Sequence, residues 1–151
     1  MMTETFNRWI RDHGISEVEC LVPDMNGVLR GKVWPAQKFV ASAANGTLRM
    51  PGSVFDVTVT GDYADEGVDR AFADPDVTLH PDPASLCVAP GFKTPTAFVF
   101  ADAYTKAGEP YPIEPRHFLR RVLDLVREEA KIKAQAFGLS PYDALLDEYE
   151  P

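Results

Sequence analysis

Cysteine is scarce: Cys20 and Cys87 are the only two in 151 residues, each set in an apolar, strand-like run. That excludes a disulfide-stapled secreted scaffold and reads as a reduced, cytoplasmic protein. Histidine is nearly as rare. His13, His80 and His117 do not pair at ligand spacing and no His-Glu-x-x-His is present, so the sequence offers no zinc site. Neither a Gly-x-Ser-x-Gly nucleophile elbow nor a glycine-rich phosphate loop occurs. No apolar run approaches the ~20 residues needed to span a bilayer. The opening stretch, MMTETFNRWIRDHG, lacks the cationic start and apolar core of an export signal, so export is not expected. Cations are in deficit as well, with 15 Lys and Arg against 23 Asp and Glu for a net charge of −8. Nucleic-acid backbones need clustered positive charge, and this chain does not supply it.

What is present suits one folded domain: 45% of the residues are hydrophobic and 25% charged, enough for one sizeable core. The acid excess is uneven, with residues 1–60 neutral, 61–112 at −6 and 113–151 at −2. Thr3 or Thr5 can cap a first helix that puts Phe6, Trp9 and Ile10 on one face and stops at Gly14. Residues 17–22 alternate, with Val18, Cys20 and Val22 on one side. The turn Asp24-Met25-Asn26-Gly27 follows, and its Asn-Gly pair predicts a type I′ hairpin returning through residues 28–34. Pro35 opens a second helix with Phe39, Val40 and Ala43 as its stripe and Gly46 as its stop. Residues 54–60 read as a strand with Val57 and Val59 on one face. Residues 61–75 read as a loop, with Asp62, Asp65, Glu66 and Asp69 in water.

Short strands are predicted at 77–79, 85–88 and 96–101, and a turn at 106–110. Pro115 starts the longest helix, reaching about Phe137, with Leu119, Val122, Leu123, Val126 and Ala130 on one stripe. Gly138 ends it, and Ser140-Pro141 opens a last short helix. This order predicts an α+β fold, a mixed or antiparallel sheet with helices packed on one face.

Read for chemistry, Cys20 fits a buried strand position better than a nucleophile. Asp74, Asp76 and Asp82 carry oxygens of the kind Mg²⁺ takes, but without the spacing of a calcium loop, and turn or cap roles suit them better. Arg30-Gly31-Lys32 can hold an anion or face solvent from a strand edge. Gly52-Ser53 reads as a turn. The residues alone give no complete active site.

Three stretches taken together resemble the glutamine synthetase family. Residues 22–35, VPDMNGVLRGKVWP, are similar to the family's early D-x-x-G-x-x-R-G-K hairpin. Met50-Pro51-Gly52-Ser53-Val54-Phe55, followed by residues 74–82, DPDVTLHPD, resembles its Gly-Ser loop and the D-x-x-L-x-P-D strand entry after it. Gly108-Glu109-Pro110, Pro115-Arg116 and Leu119-Arg120-Arg121 resemble the link from the N-terminal into the catalytic domain. The likeness runs over about residues 5–129. It implies a β-grasp-like mixed sheet with packed helices over residues 1–112, with residues 113–151 forming a long helix and a C-terminal helical tail.

The resemblance also implies a function. In the family this small domain is one wall of an active site shared between subunits, where γ-glutamyl phosphate meets an amine. Gly52, Ser53 and Asp76 fall at substrate-binding positions, and Asn26-Gly27 forms the structural turn. The family's ammonium-binding Asp falls at Pro51, which has no carboxylate to bind or deprotonate ammonium. That departure implies a relative that γ-glutamylates larger amines or polyamines. The acidic residues of 61–82 suit a cationic amine. ATP and Mg are implied for the full-length family and neither is expected on this chain alone. A homo-oligomer or a catalytic-domain partner is implied, with no nucleic acid and no membrane. The last residues, GLSPYDALLDEYEP, instead resemble a helical segment of the M32 metallocarboxypeptidases, without that family's zinc motif or general base. The sequence therefore reads as a join of two partial sequences near residue 129, whether a natural fusion, a truncation or an engineered product, and as a polypeptide inactive by itself. The competing reading is a non-catalytic interaction or oligomerisation module.

Overall fold

The computed structural model describes residues 2–63, 74–138, 140 and 142. The chain divides into two compact units, Met1–Pro115 and Arg116–Pro151.

The first unit opens with helix α1, Met2–Asp12. It begins early enough that Thr3 and Thr5 lie within it, so neither is the cap the sequence suggested. Its end is built by Gly14 at φ +62°. The Gly14 amide bonds the Arg11 carbonyl and the Ile15 amide reaches back to Ile10. Only a left-handed residue closes a helix that way, which is why glycine stands there. Strand β1, Glu17–Pro23, pairs antiparallel with β2, Leu29–Pro35. Helix α2, Ala36–Ala44, follows with Pro35 as its N-cap and the last residue of β2. Strands β3, Arg49–Pro51, β4, Asp76–Pro81, β5, Cys87–Val88, and β6, Thr96–Tyr104, complete the sheet.

The strand order is β2-β1-β6-β4-β3, with β5 added alongside β6. Every pair is antiparallel except β1 with β6. The α+β reading holds, as a β-grasp-like mixed sheet. Val18, Cys20 and Val22 of β1 share the face that α1 and α2 cover, and Phe6 meets Phe39 edge-on with ring centroids 5.3 Å apart. Four small or branched residues of β6, Ala97, Val99, Ala101 and Ala103, are fully buried in the same core. Burial pushes the Cys20 thiol up to about 12, so it stays protonated and serves as a small core side chain. Cys87, by contrast, lies exposed on the two-residue β5.

Three expectations fail here. The 54–60 strand is absent: Gly52–Phe55 is a 3₁₀ turn, Val57 forms an isolated bridge to Tyr63 and no ladder, and Val59 is 68% exposed. The chain turns because Thr58 accepts from the Gly61 amide and donates its own amide to Asp62. The 85–88 strand shrinks to β5 because Asp82 caps a 3₁₀ turn at Pro83–Ser85, accepting from the Ala84 amide. The type I′ hairpin is also replaced. Gly27 has φ +76° but no described non-glycine residue, Asn26 included, has positive φ, so Asn26 does not occupy the second left-handed position that type I′ requires. Instead Gly27 donates to the Asp24 carbonyl and Asp24 to the Val28 carbonyl, a three-residue loop ending in a left-handed glycine.

Helix α3 runs Pro115–Phe137, as its periodicity predicts. Ala130 and Ala134 are buried, whereas Leu119, Leu123 and Val126 of the expected stripe stay exposed, as do Phe118, Leu125 and Ile132. Gly138 follows at φ +68°. The short last helix and most of the peptidase-like tail lie outside the described residues, as do Asp65, Glu66 and Asp69.

Candidate functional site

The resemblance-derived positions gather at one sheet edge. Strand β3 is the outermost strand, and its last residue, Pro51, stands directly opposite Asp76 at the start of β4. Both are exposed. Proline is tolerated there because an edge strand does not need its N–H for the ladder. Gly52 and Ser53 then turn inward and are buried. The Gly52 amide bonds the Pro75 carbonyl at 3.1 Å. Asp74 grips Ser53 twice, taking its amide at 2.9 Å and its hydroxyl at 2.6 Å. So a carboxylate caps the first turn of the 3₁₀ segment, where free N–H groups collect.

Tyr111 forms the other wall. Its ring lies against Phe55, centroids 5.3 Å apart, and its own amide bonds the Ala103 carbonyl at the end of β6. A Cβ on Gly52 would stand 2.5 Å from the Tyr111 hydroxyl oxygen and 3.1 Å from the ring carbon bearing it. Glycine at 52 is therefore a steric requirement of that contact. Nothing in the sequence near residue 111 marks it as part of this corner.

A second cluster lies at the β1–β2 turn. Asp24 is 1% exposed, and its Oδ1 accepts from the Asn26 and Val28 amides at 2.8 and 2.9 Å. Its Oδ2 takes the Arg30 guanidinium, Nε and Nη2 each at 2.9 Å. Burial alone would raise the carboxyl's pKa. The Val28 amide, the Arg30 guanidinium and the Asn26 amide outweigh it and hold Asp24 below the usual carboxylate range. Arg30 is thus neither a free anion site nor a solvent-facing charge, while Lys32 lies over the Trp34 ring at 5.5 Å. The sequence signal was available: an acid and a base flanking a tight turn, six residues apart, are brought together when the hairpin closes.

The turn also holds the segment after the Gly-Ser corner. Met25 donates its amide to the Phe55 carbonyl at 2.9 Å, Asn26 its side-chain amide to Val57 at 2.7 Å, and Arg30 Nη2 to Thr58 at 2.8 Å. Asp62 is tied locally, accepting from the Thr60 hydroxyl at 2.8 Å. Among the described residues no group of three or more His, Cys, Asp or Glu could hold a metal ion, and no helix is long and apolar enough to cross a membrane. Asp74 and Asp82 are occupied as caps. The corner therefore presents an apolar ring and a carboxylate at its exposed edge, while its one hydroxyl–carboxylate pair, Ser53 with Asp74, is engaged in capping.

No protein-family model matches the chain. Among curated proteins it is 29% identical over 140 residues to a glutamate–isopropylamine ligase of a Pseudomonas species, covering 90% of this chain and 28% of the relative. It is 25% identical over 126 residues to a gamma-glutamylanilide synthase of an Acinetobacter species, covering 77% and 25%. A solved structure of a glutamine synthase homologue superposes with a TM-score of 0.63 at 23% identity, over 76% of this chain and 27% of that one. The chain thus spans about a quarter of the length of the proteins it matches. By sequence and by fold, it is similar to the N-terminal domain of glutamine synthetase-family proteins.

Proposed function

We propose that this domain forms one wall of the active site of an ATP-dependent γ-glutamyl-amine ligase, facing the catalytic portion of a neighbouring subunit. The observation that carries the reading is Pro51 opposite Asp76 at an exposed sheet edge. In the family resemblance, position 51 belongs to the carboxylate that binds ammonium. Proline leaves an apolar surface there, with one carboxylate, Asp76, beside it. A protonated amine with an organic substituent suits such a pair: the cation faces Asp76 and the substituent lies on the pyrrolidine ring. The names of the two curated relatives, an isopropylamine ligase and an anilide synthase, support an amine larger than ammonia. In this reading Gly52 and Ser53 shape the loop, and Asp76 supplies the charge. ATP, Mg and phosphoryl transfer belong to the catalytic portion, and the 151-residue polypeptide by itself is inactive. The exposed apolar residues of α3 favour a second role as an oligomerisation surface, within a cytoplasmic, nitrogen-metabolising enzyme.

The test is a chimera in which this chain replaces the matching quarter of the glutamate–isopropylamine ligase. Its amide formation from ATP and glutamate is then measured with ammonium, isopropylamine, aniline and a polyamine. Amide formation with organic amines over ammonium, with KM for the amine raised by Asp76→Asn, is expected. A folded, assembled chimera that makes no amide, or that prefers ammonium, would refute the reading. The isolated chain should release no ADP in proportion to amide.

A further inference from the structure

From the bonds between the β1–β2 turn and the backbone beyond Phe55, we infer that Asn26 and Arg30 are positioning residues for the amine-facing loop. The inference rests on the proposed function for the identity of that loop, but its geometry does not. The bonds that the segment leaving the Pro51–Ser53 corner makes within itself are short-range: the Asp56 amide to Ser53, the Gly61 amide to Thr58, and Thr58 with Asp62. Among the described residues it joins no strand ladder, Val57 bridges to Tyr63, and Val59 is exposed. Such a segment opens locally at low cost unless it is tied from outside.

The β1–β2 turn supplies such a tie. Within six residues the hairpin turn donates to three carbonyls in a row of four, those of Phe55, Val57 and Thr58. Arg30 can do this because its planar fork divides: Nε and Nη2 hold Asp24, and Nη2 also reaches the Thr58 carbonyl. The buried Asp24 fixes the guanidinium in turn, itself locked by two backbone amides. The chain then doubles back at Gly61, where an added Cβ would lie 3.8 Å from Arg30 Nη1. Asp24, Gly27 and Arg30 therefore form one device. The glycine makes the turn, the acid orients the base, and the base sets the course of a loop 28 residues further along the chain. Lysine cannot replace arginine here, since one ammonium cannot keep both partners in a fixed fork.

Residue-resolved hydrogen exchange on the 151-residue chain tests this. The reporters are the amides of Asp56, Thr58 and Gly61, bonded to Ser53, Asp62 and Thr58 carbonyls, with β1 amides paired to β6 as the reference. Arg30→Ala and Asn26→Ala should each speed the reporters by at least about tenfold while the reference stays unchanged. Arg30→Lys, which keeps a cation beside Asp24, should leave the reporters fast. Wild-type reporter exchange in Arg30→Lys would reduce Arg30 to a counter-charge and overturn the proposal. So would equal acceleration of reporters and reference, which marks global destabilisation, or no acceleration at all. If Arg30→Ala fails to fold, Asn26→Ala decides, because that side chain is exposed. The exchange is read without amine, ATP or a catalytic portion, so its failure is distinct from failure of the chimera.

Discussion

Pro51 and Asp76 face each other as register partners where β3 meets β4, and both sides of that pair look into solvent. One residue later the chain dives under cover, where Ser53 is held twice by Asp74. The corner thus separates two tasks. Its buried half, Gly52, Ser53, Asp74 and Tyr111, fixes geometry, and its exposed half presents one apolar ring and one carboxylate. Exchange of an acid for proline at an edge position alters what the wall presents without touching the ladder behind it.

Gly52→Ala should expose the tightness of the buried half. The new methyl would sit 2.5 Å from the Tyr111 hydroxyl, well inside contact distance. Overpacking of this kind costs on the order of 1–3 kcal/mol. Tyr111→Phe removes the offending oxygen, so the double variant Gly52→Ala/Tyr111→Phe should recover part of that loss. Urea unfolding of the four proteins measures the coupling. Additive losses would show that Tyr111 does not stand over Gly52.

Asp24 gives a pH signature. Its folded pKa lies below its ordinary value, so its ion pair stabilises the protein fully above about pH 4 and fades as pH falls through the lower folded value. Asp24→Asn keeps the shape and loses the charge, leaving Arg30 without its counter-ion, and should cost on the order of 3 kcal/mol at pH 7. The stability gap between wild type and variant should narrow as pH is lowered from 5 to about 2. A gap that stays constant across that range would mean the pair carries no charge-dependent stability.

Much of the fold was legible because its signals were local. Gly14 and Gly46 end α1 and α2 as read, and Pro115 and Gly138 bracket α3. The errors arose where distant residues decide. Residues 54–60 alternate like a strand, yet Asp74 and the 24–30 turn bend them away from any ladder, and neither partner is close in sequence. The Asn-Gly pair suggested type I′, but Asp24 bonds the Asn26 amide with its side chain and keeps that residue out of the left-handed region. In the site, Gly52, Ser53 and Asp76 came from the family likeness and do converge on one corner. Tyr111 was invisible because its importance lies in tertiary contact, whereas the Asp24–Arg30 pair left a signal in its spacing across the turn.

The corrected turn still makes Gly27 the residue least replaceable by a branched side chain. At φ +76° a Cβ meets no neighbouring atom within 4 Å, so any penalty is backbone strain and not a clash. Gly27→Val should cost on the order of 1–3 kcal/mol, and Gly27→Asn clearly less, since Asn tolerates the left-handed region. Thermal melts of both variants check this. Equal melting temperatures for Val and Asn would show that the turn relaxes to another geometry.

The last prediction concerns association. Around the Gly-Ser corner Phe55 is fully buried, and Phe92, half exposed, lies edge-on to Phe98. Helix α3 is the stronger source. Its 23 residues make a rod about 34 Å long at ~1.5 Å per residue. Phe118, Leu125 and Ile132 recur every seventh position along it, each about two-thirds or more exposed. Leu119, Leu123 and Val126 widen that stripe. Charges of both signs flank it: Arg127 pairs with Asp124 and Lys131 with Glu128, all exposed. Its seven-residue repeat is that of a helix-pairing seam, and exposed apolar strips of this kind mark association surfaces. The isolated chain should therefore form a dimer or a larger defined assembly at micromolar concentration, with the net charge of −8 opposing open-ended growth. Leu125→Glu, at the centre of the strip, should shift the assembly towards monomer without lowering the melting temperature of the β-grasp unit. Sedimentation equilibrium of both proteins decides the matter: a wild-type chain that stays monomeric across the micromolar range rejects the prediction.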